Sequence, residues 1–388
     1  MVDRVEDTQA ALFSLCFPIP VRVTLSILLG IWGWGINVHV CKLSKIDVET
    51  MIKYNSNGEL HHSIYKFAMT LSFYTLILLA FFWYSLGDTT DQDYTSQIGV
   101  SKYIPWMLFF SLVGVMIYPG RRFHGKGRHR FRSLLVRILK GGLNKDCRIL
   151  DIIASDAFTS YTKVSVDIFI MFAMSYTGNS CLEIPDRDFG GKLLIPLVST
   201  VPYFIRLRQC FIDYSRTSKI QHVYNAIKYG TSFPCVILGA LYKYSDYKSS
   251  FYQLWISALF ITSSYSFFWD VTCDWSSTLS TSFISGFHSK PKGLRQVLFF
   301  KFPFIYYLAI FVDFILRFLW LWPLLSSWPY SSRVELGFFF LAFMEIVRRW
   351  LWIFFRLEAE WITVIAGSGE ITGNLEANIP MKEISDEF

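Results

Sequence analysis

Residues 67–86, FAMTLSFYTLILLAFFWYSL, run for 20 positions without one charged side chain. About 20 apolar residues are what a helix needs to cross the hydrocarbon core of a bilayer. In lipid every backbone amide must find its partner within the protein, which leaves helices or closed barrels. The apolar runs here are continuous and do not alternate, so a barrel is excluded. Further candidate spans lie at 21–41, 66–86, 103–118, 151–176, 193–212, 228–243, 249–270, 301–324 and 334–357. The chain is 53% hydrophobic, 18% aromatic and 17% charged, where a soluble domain carries about 25% charge. The expected fold is all-α: a polytopic helical membrane protein with about nine or ten transmembrane helices in a lipid bilayer.

Charge divides the chain. Residues 1–20 form a short N-terminal tail without a cleavable signal pattern. Residues 21–150 read as peripheral transmembrane helices plus a basic amphipathic segment, because residues 120–148 hold ten Lys/Arg and one acid. Residues 151–365 read as a helical bundle with a polar interior, and 366–388 as a disordered cytosolic tail. Basic loops at 206–219 and 287–301, and acidic Glu183, Asp186 and Asp188 in loop 177–192, place the C-terminus in the cytosol by the positive-inside rule. If residues 130–143 lie along the interface there are nine spans; if they cross, there are ten. The net charge of +7 sits in such loops and does not suggest a nucleic-acid surface. The seven cysteines are scattered singly, as free thiols are. No metal-ligand spacing or enzymatic signature stands out, so neither a metal, a cofactor nor catalysis is expected. His61 and His62 read as a solvated pair in a polar loop.

The functional signal is charge inside spans. Residues 336–361 carry Glu345, Arg348, Arg349 and Arg356 among Phe, Leu and Trp, and residues 301–324 carry Asp313 and Arg317. A charge at bilayer depth costs roughly 2.5–3.5 kcal/mol on insertion scales, so it faces a partner or a watery path. Several cations together suggest a route for an anion. Arg348 and Arg349 stand three and four residues after Glu345, so the acid can hold one while the other faces the path. Asp313 and Arg317 are likewise four residues apart, and for both sets the alternative is a neutralised packing pair that meets no substrate. For Arg206, Arg208 and Lys228 the alternative is a helix end snorkelling to the interface.

Six blocks resemble the EXS family of yeast ER-retention proteins and phosphate exporters: WGWGINVHV (32–40), IRLRQCFIDY (205–214), HVYNAIKYGTSFP (222–234), YSFFWDVTCDWS (265–276), VDFILRFLW (312–320) and MEIVRRWLWIFFRLEAEW (344–361). They occur in the family's order and cover most of residues 20–365. Large members carry an N-terminal SPX domain; about twenty residues precede the first span here, so the chain looks like the short fungal ER-retention-defective type. That type implies a Golgi membrane location. It also implies movement of inorganic phosphate, a by-product of glycosylation, from lumen to cytosol, together with retention of lumenal ER proteins and recycling of Golgi glycosyltransferases. A homodimer is implied as well. Matching positions make Arg317, Arg348, Arg349, Lys228, Tyr229, Asp156, Asp270, Glu345 and Trp320 the expected phosphate path, with Trp320 as a gate or stacking partner and Ser160 and Thr162 as weaker hydroxyl candidates. A different class of function remains open: a trafficking scaffold that binds recycling factors through loops and tail without transporting.

Overall fold

The computed structural model describes residues 11–54, 59–87, 101–120, 125–144, 147–245, 249–276, 294–295, 297–325 and 334–368. Among these the chain is helical, with no strand. The helices are α1 (Ile19–Leu43), α2 (Leu60–Gly87), α3 (Ile104–Ile117), α4 (Gly125–Leu139), α5 (Arg148–Ser160), α6 (Thr162–Thr177), α7 (Gly191–Thr217), α8 (Ile220–Gly230), α9 (Ser232–Tyr244), α10 (Ser249–Trp269), α11 (Pro303–Arg317) and α12 (Val334–Ser368). Three stretches, Ile19–Leu43, Leu60–Leu86 and Pro303–Leu324, are long and apolar enough to cross a membrane by length and composition alone. The fold is that of an all-α helical membrane protein.

Two expected spans are broken. Residues 151–176 form α5 and α6, interrupted at Tyr161. Around the break, hydroxyls bond backbone carbonyls: Thr159 Oγ1 to Asp156 O at 2.7 Å and Thr162 Oγ1 to Thr159 O at 2.6 Å. Such local bonds compete with the helical ladder and bend it. Residues 228–243 break likewise at Thr231, which follows Gly230 and whose Oγ1 donates to Lys228 O at 2.8 Å. Past α10, Asp270–Asp274 forms a π-helical turn, closed by Trp275 N donating to Asp270 O at 2.9 Å. Single π turns of this kind concentrate at functional sites.

The first and last helices run side by side in the same direction. Arg22 near the start of α1 bonds Glu335 at the start of α12, and further along Asn37 Nδ2 donates to Trp350 O at 3.0 Å. Between them a Cβ on Gly33 would lie 1.7 Å from the Trp350 indole. Close backbone approach through small residues is how helices pack where lipid supplies no hydrophobic drive.

Helix α4 lies along one end of the bundle. Its Arg128 donates to Val115 O and Tyr118 O after α3. Arg130 reaches Ile52 O and Lys53 O after α1, and Arg137 binds Asp151 at the start of α5. These partners all belong to the end where α1 and α3 finish and α5 begins. Trp352, fully buried, centres a core shared with Val38, Cys41, Ile153, Val271, Tyr306 and Leu357. All seven cysteines are free. The tail beyond residue 368 lies outside the described residues.

Candidate functional site

At the centre of the bundle, α5 and α7 to α12 line a small polar cavity of about 40 Å³. It is lined by Lys228, Tyr229, Arg317, Glu345, Arg348 and Arg349, with Thr159, Tyr203, Ser232 and Ser266 adding hydroxyls. Six of the nine residues expected for the path thus share one cavity.

Most of its cations are committed to carboxylates. Lys228 Nζ bonds Asp270 Oδ1 at 2.7 Å and Asp274 Oδ2 at 3.2 Å, the two ends of the π turn. The other oxygen of Asp270 takes Arg317 and also Arg348 Nη1, the latter at 3.3 Å. Arg348 further reaches Asp313 at 3.3 Å and grips Glu345 with Nη2 at 2.5 Å and Nε at 3.0 Å. The forked geometry suits a guanidinium and a carboxylate. Asp270, Asp313 and Arg348 are fully buried. The i, i+4 spacing of Asp313 and Arg317 suggested a pair, but Arg317 instead turns to Asp270 and Asp313 serves Arg348.

A second knot lies behind the cavity. Arg206 Nε bonds Asp156 at 2.8 Å, its Nη1 donates to Gln209 Oε1 at 2.7 Å and its Nη2 to Tyr229 Oη at 3.1 Å, while Tyr229 donates to Asp156. Arg206 is buried and does not snorkel; Arg208, two residues on, caps Lys140 O near the α4 end. Sequence reasoning left Arg206 undecided. Its signal was Gln209 one turn later, inside the IRLRQCFIDY block. Trp320 stands apart from the cavity lining: its Nε1 donates to Ser263 Oγ at 2.9 Å.

Arg349 differs from its neighbours. It is buried, yet among the described residues it makes no ion pair within 4.0 Å; its Nε donates to Ser160 Oγ at 2.9 Å and its Nη2 to Thr159 Oγ1 at 3.3 Å. Its Nη1 has no partner at all. Its carbon stacks 4.6 Å over the Trp352 ring, which fixes the guanidinium plane. A buried unpaired donor on a cation is costly unless something arrives to accept from it. Of the two arginines that follow Glu345, Arg348 is the one held and Arg349 the one left to face the cavity. Ser160, bonded to both Arg349 and Glu345, belongs to the site.

Elsewhere, His61 is buried on α2 and stacks on His39, so it is not solvated in a loop. Glu59, His61 and His62 bring ligand-type atoms within 4.8 Å of one another, but Lys42 already bonds the Glu59 carboxylate.

The chain is 29% identical over 357 residues to Protein ERD1 homolog 1 of Schizosaccharomyces pombe, covering 89% of this chain and 91% of that one. It is 24% identical to Protein ERD1 of Saccharomyces cerevisiae, covering 89% and 93%. With Solute carrier family 53 member 1 of Mus pahari it shares 27% identity over 84% of its own length but only 47% of the relative's. The EXS family matches residues 17–362, nearly all of the helical bundle and its cavity, and this chain belongs to that family.

Proposed function

We propose that this protein conducts inorganic phosphate across a membrane through the cavity around Arg349, and that it works as a transporter and not as an enzyme. The observation that carries the reading is the buried Arg349 guanidinium, free of any carboxylate and with Nη1 unpartnered, facing a cavity edged by hydroxyls. Phosphate accepts on every oxygen and matches a planar guanidinium. The acids that occupy Lys228, Arg317 and Arg348 keep the site from trapping its anion, because a path must release what it binds.

The basic end of the bundle, with α4, faces the cytosol, and loop 177–192 faces the lumen. The protein resides in the Golgi membrane as a homodimer and returns glycosylation-derived phosphate to the cytosol, supporting retention of lumenal ER proteins and recycling of glycosyltransferases. Similarity to the ERD1 proteins over nearly their whole length supports the short-type assignment. Radiolabelled phosphate flux in proteoliposomes tests the reading. Wild-type flux abolished by Arg349→Ala is the expected result; no flux from the folded wild type would overturn it.

A further inference from the structure

The polar wall of the cavity continues past Arg349. Asp156, Thr159 and Ser160 at the end of α5, and Lys163 and Asp167 on α6, put polar residues on both sides of the break at Tyr161. Thr159 lines the cavity just described, and Ser160 bonds Arg349 beside it. At the far end, Asp167 bonds Arg187 of loop 177–192 at 3.1 Å, and Arg187 and Arg22 both bond Glu335 at 2.5 Å. Lys163 stands between these two groups.

Tyr161 and Val164, on either side of Lys163, pack into a hydrophobic core, while the Lys163 side chain is open. The acids within its electrostatic reach are Glu345, on the cavity side, and Asp167, on the mouth side. Among the described residues Lys163 forms no ion pair within 4.0 Å. An ammonium unpaired within a span faces water and not lipid.

We infer that Lys163 is a recruiting cation that receives the anion from the 177–192 mouth and passes it to Arg349. The inference rests on the phosphate-transport reading and adds a station to that route. A lone ammonium is a point charge without a fork, so it holds an oxyanion less rigidly than a guanidinium does. Glu345 and Asp167 on either side weaken its grip further. An anion at Lys163 is therefore held loosely and is not committed.

The test is phosphate flux in proteoliposomes holding the full chain with Lys163→Cys. The half-saturating phosphate concentration is expected to rise about five-fold, the size of one screened charge contact, with the maximal rate within about two-fold. An impermeant aminoethyl thiosulfonate, which rebuilds an ammonium at residue 163, is expected to restore the wild-type value. Its sulfonatoethyl analogue is expected to worsen it, and each reagent to act only from the 177–192 side. Wild type given the same reagents controls for the native thiols, and Lys163→Arg is expected to keep near-normal half-saturation. An unchanged half-saturation in Lys163→Cys, or equal effects of the two reagents, overturns the inference while leaving transport intact. Absence of wild-type flux overturns the transport reading itself.

Discussion

Arg22 on α1 and Glu335 at the start of α12, 313 residues apart in the chain, meet at 2.5 Å with both side chains buried. Arg187 shares the same carboxylate. Removing one partner of a buried pair strands the other and costs about 3–5 kcal/mol. Glu335→Ala strands Arg22 and leaves Arg187 with Asp167 alone, so it is expected to lower the melting temperature of the purified protein more than Arg22→Ala does. Equal melting temperatures for both variants and wild type would show that the pair carries no stability.

Arg348 and Arg349 are adjacent but play opposite parts. Arg348 bonds Glu345, Asp270 and Asp313, so Arg348→Ala is expected to impair folding, seen as lost monodispersity on size exclusion. Arg349→Ala releases only hydroxyl partners. It is expected to elute like wild type while phosphate flux falls at least about ten-fold, the loss of one charge-assisted contact.

Asp270 neutralises Lys228, Arg317 and Arg348 together. Asp270→Asn leaves three cations facing the cavity with less compensation. Phosphate is then expected to bind about ten-fold tighter and to leave more slowly. Flux at saturating phosphate falls while binding, read by thermal shift, strengthens; weaker binding would contradict the holding role given to this acid.

Gly33 admits the Trp350 indole where a Cβ would sit at 1.7 Å. Gly33→Val is expected to abolish a folded, monodisperse product, and Trp350→Ala in the same chain to recover part of it. Failure of the second change to help would place the defect elsewhere on α1.

Cys181, in the loop after α6, is buried, and burial pushes its thiol up to about 12. The thiolate is the reactive form. Maleimide is therefore expected to leave Cys181 unmodified from pH 7 to 9 in the folded protein and to label it only on denaturation, as read by peptide mass spectrometry.

Much of this was legible in residue order. Uncharged runs such as 67–86 announced spans, and Glu345 spaced against Arg348 and Arg349 announced that one arginine would be held and one left free. Which one was held was not legible, because Ser160, Asp270 and Asp313 come from other helices and spacing along α12 carries no record of them. Arg206 was ambiguous for a related reason: a cation near a helix end looks the same in sequence whether it reaches water or Asp156. The breaks at Tyr161 and Thr231 were hidden inside hydrophobic runs, where hydropathy averages over the hydroxyls that bend the backbone. Asp313 and Arg317 misled by their own periodicity, since a local pairing rule gives no weight to a better partner brought in by the π turn.

Five cations, Lys228, Arg206, Arg317, Arg348 and Arg349, share this interior with five acids, Asp156, Asp270, Asp274, Asp313 and Glu345. An arriving anion thus enters a lattice that is already electroneutral. Within this set it would be gripped by more than Arg349 only by displacing a carboxylate, and each displaced carboxylate would pull to return. Affinity is then a difference between two similar salts and not the sum of several attractions. Under the proposed transport, passage would be a series of exchanges in which the resident acids supply the recoil, so such an interior would favour traffic over storage.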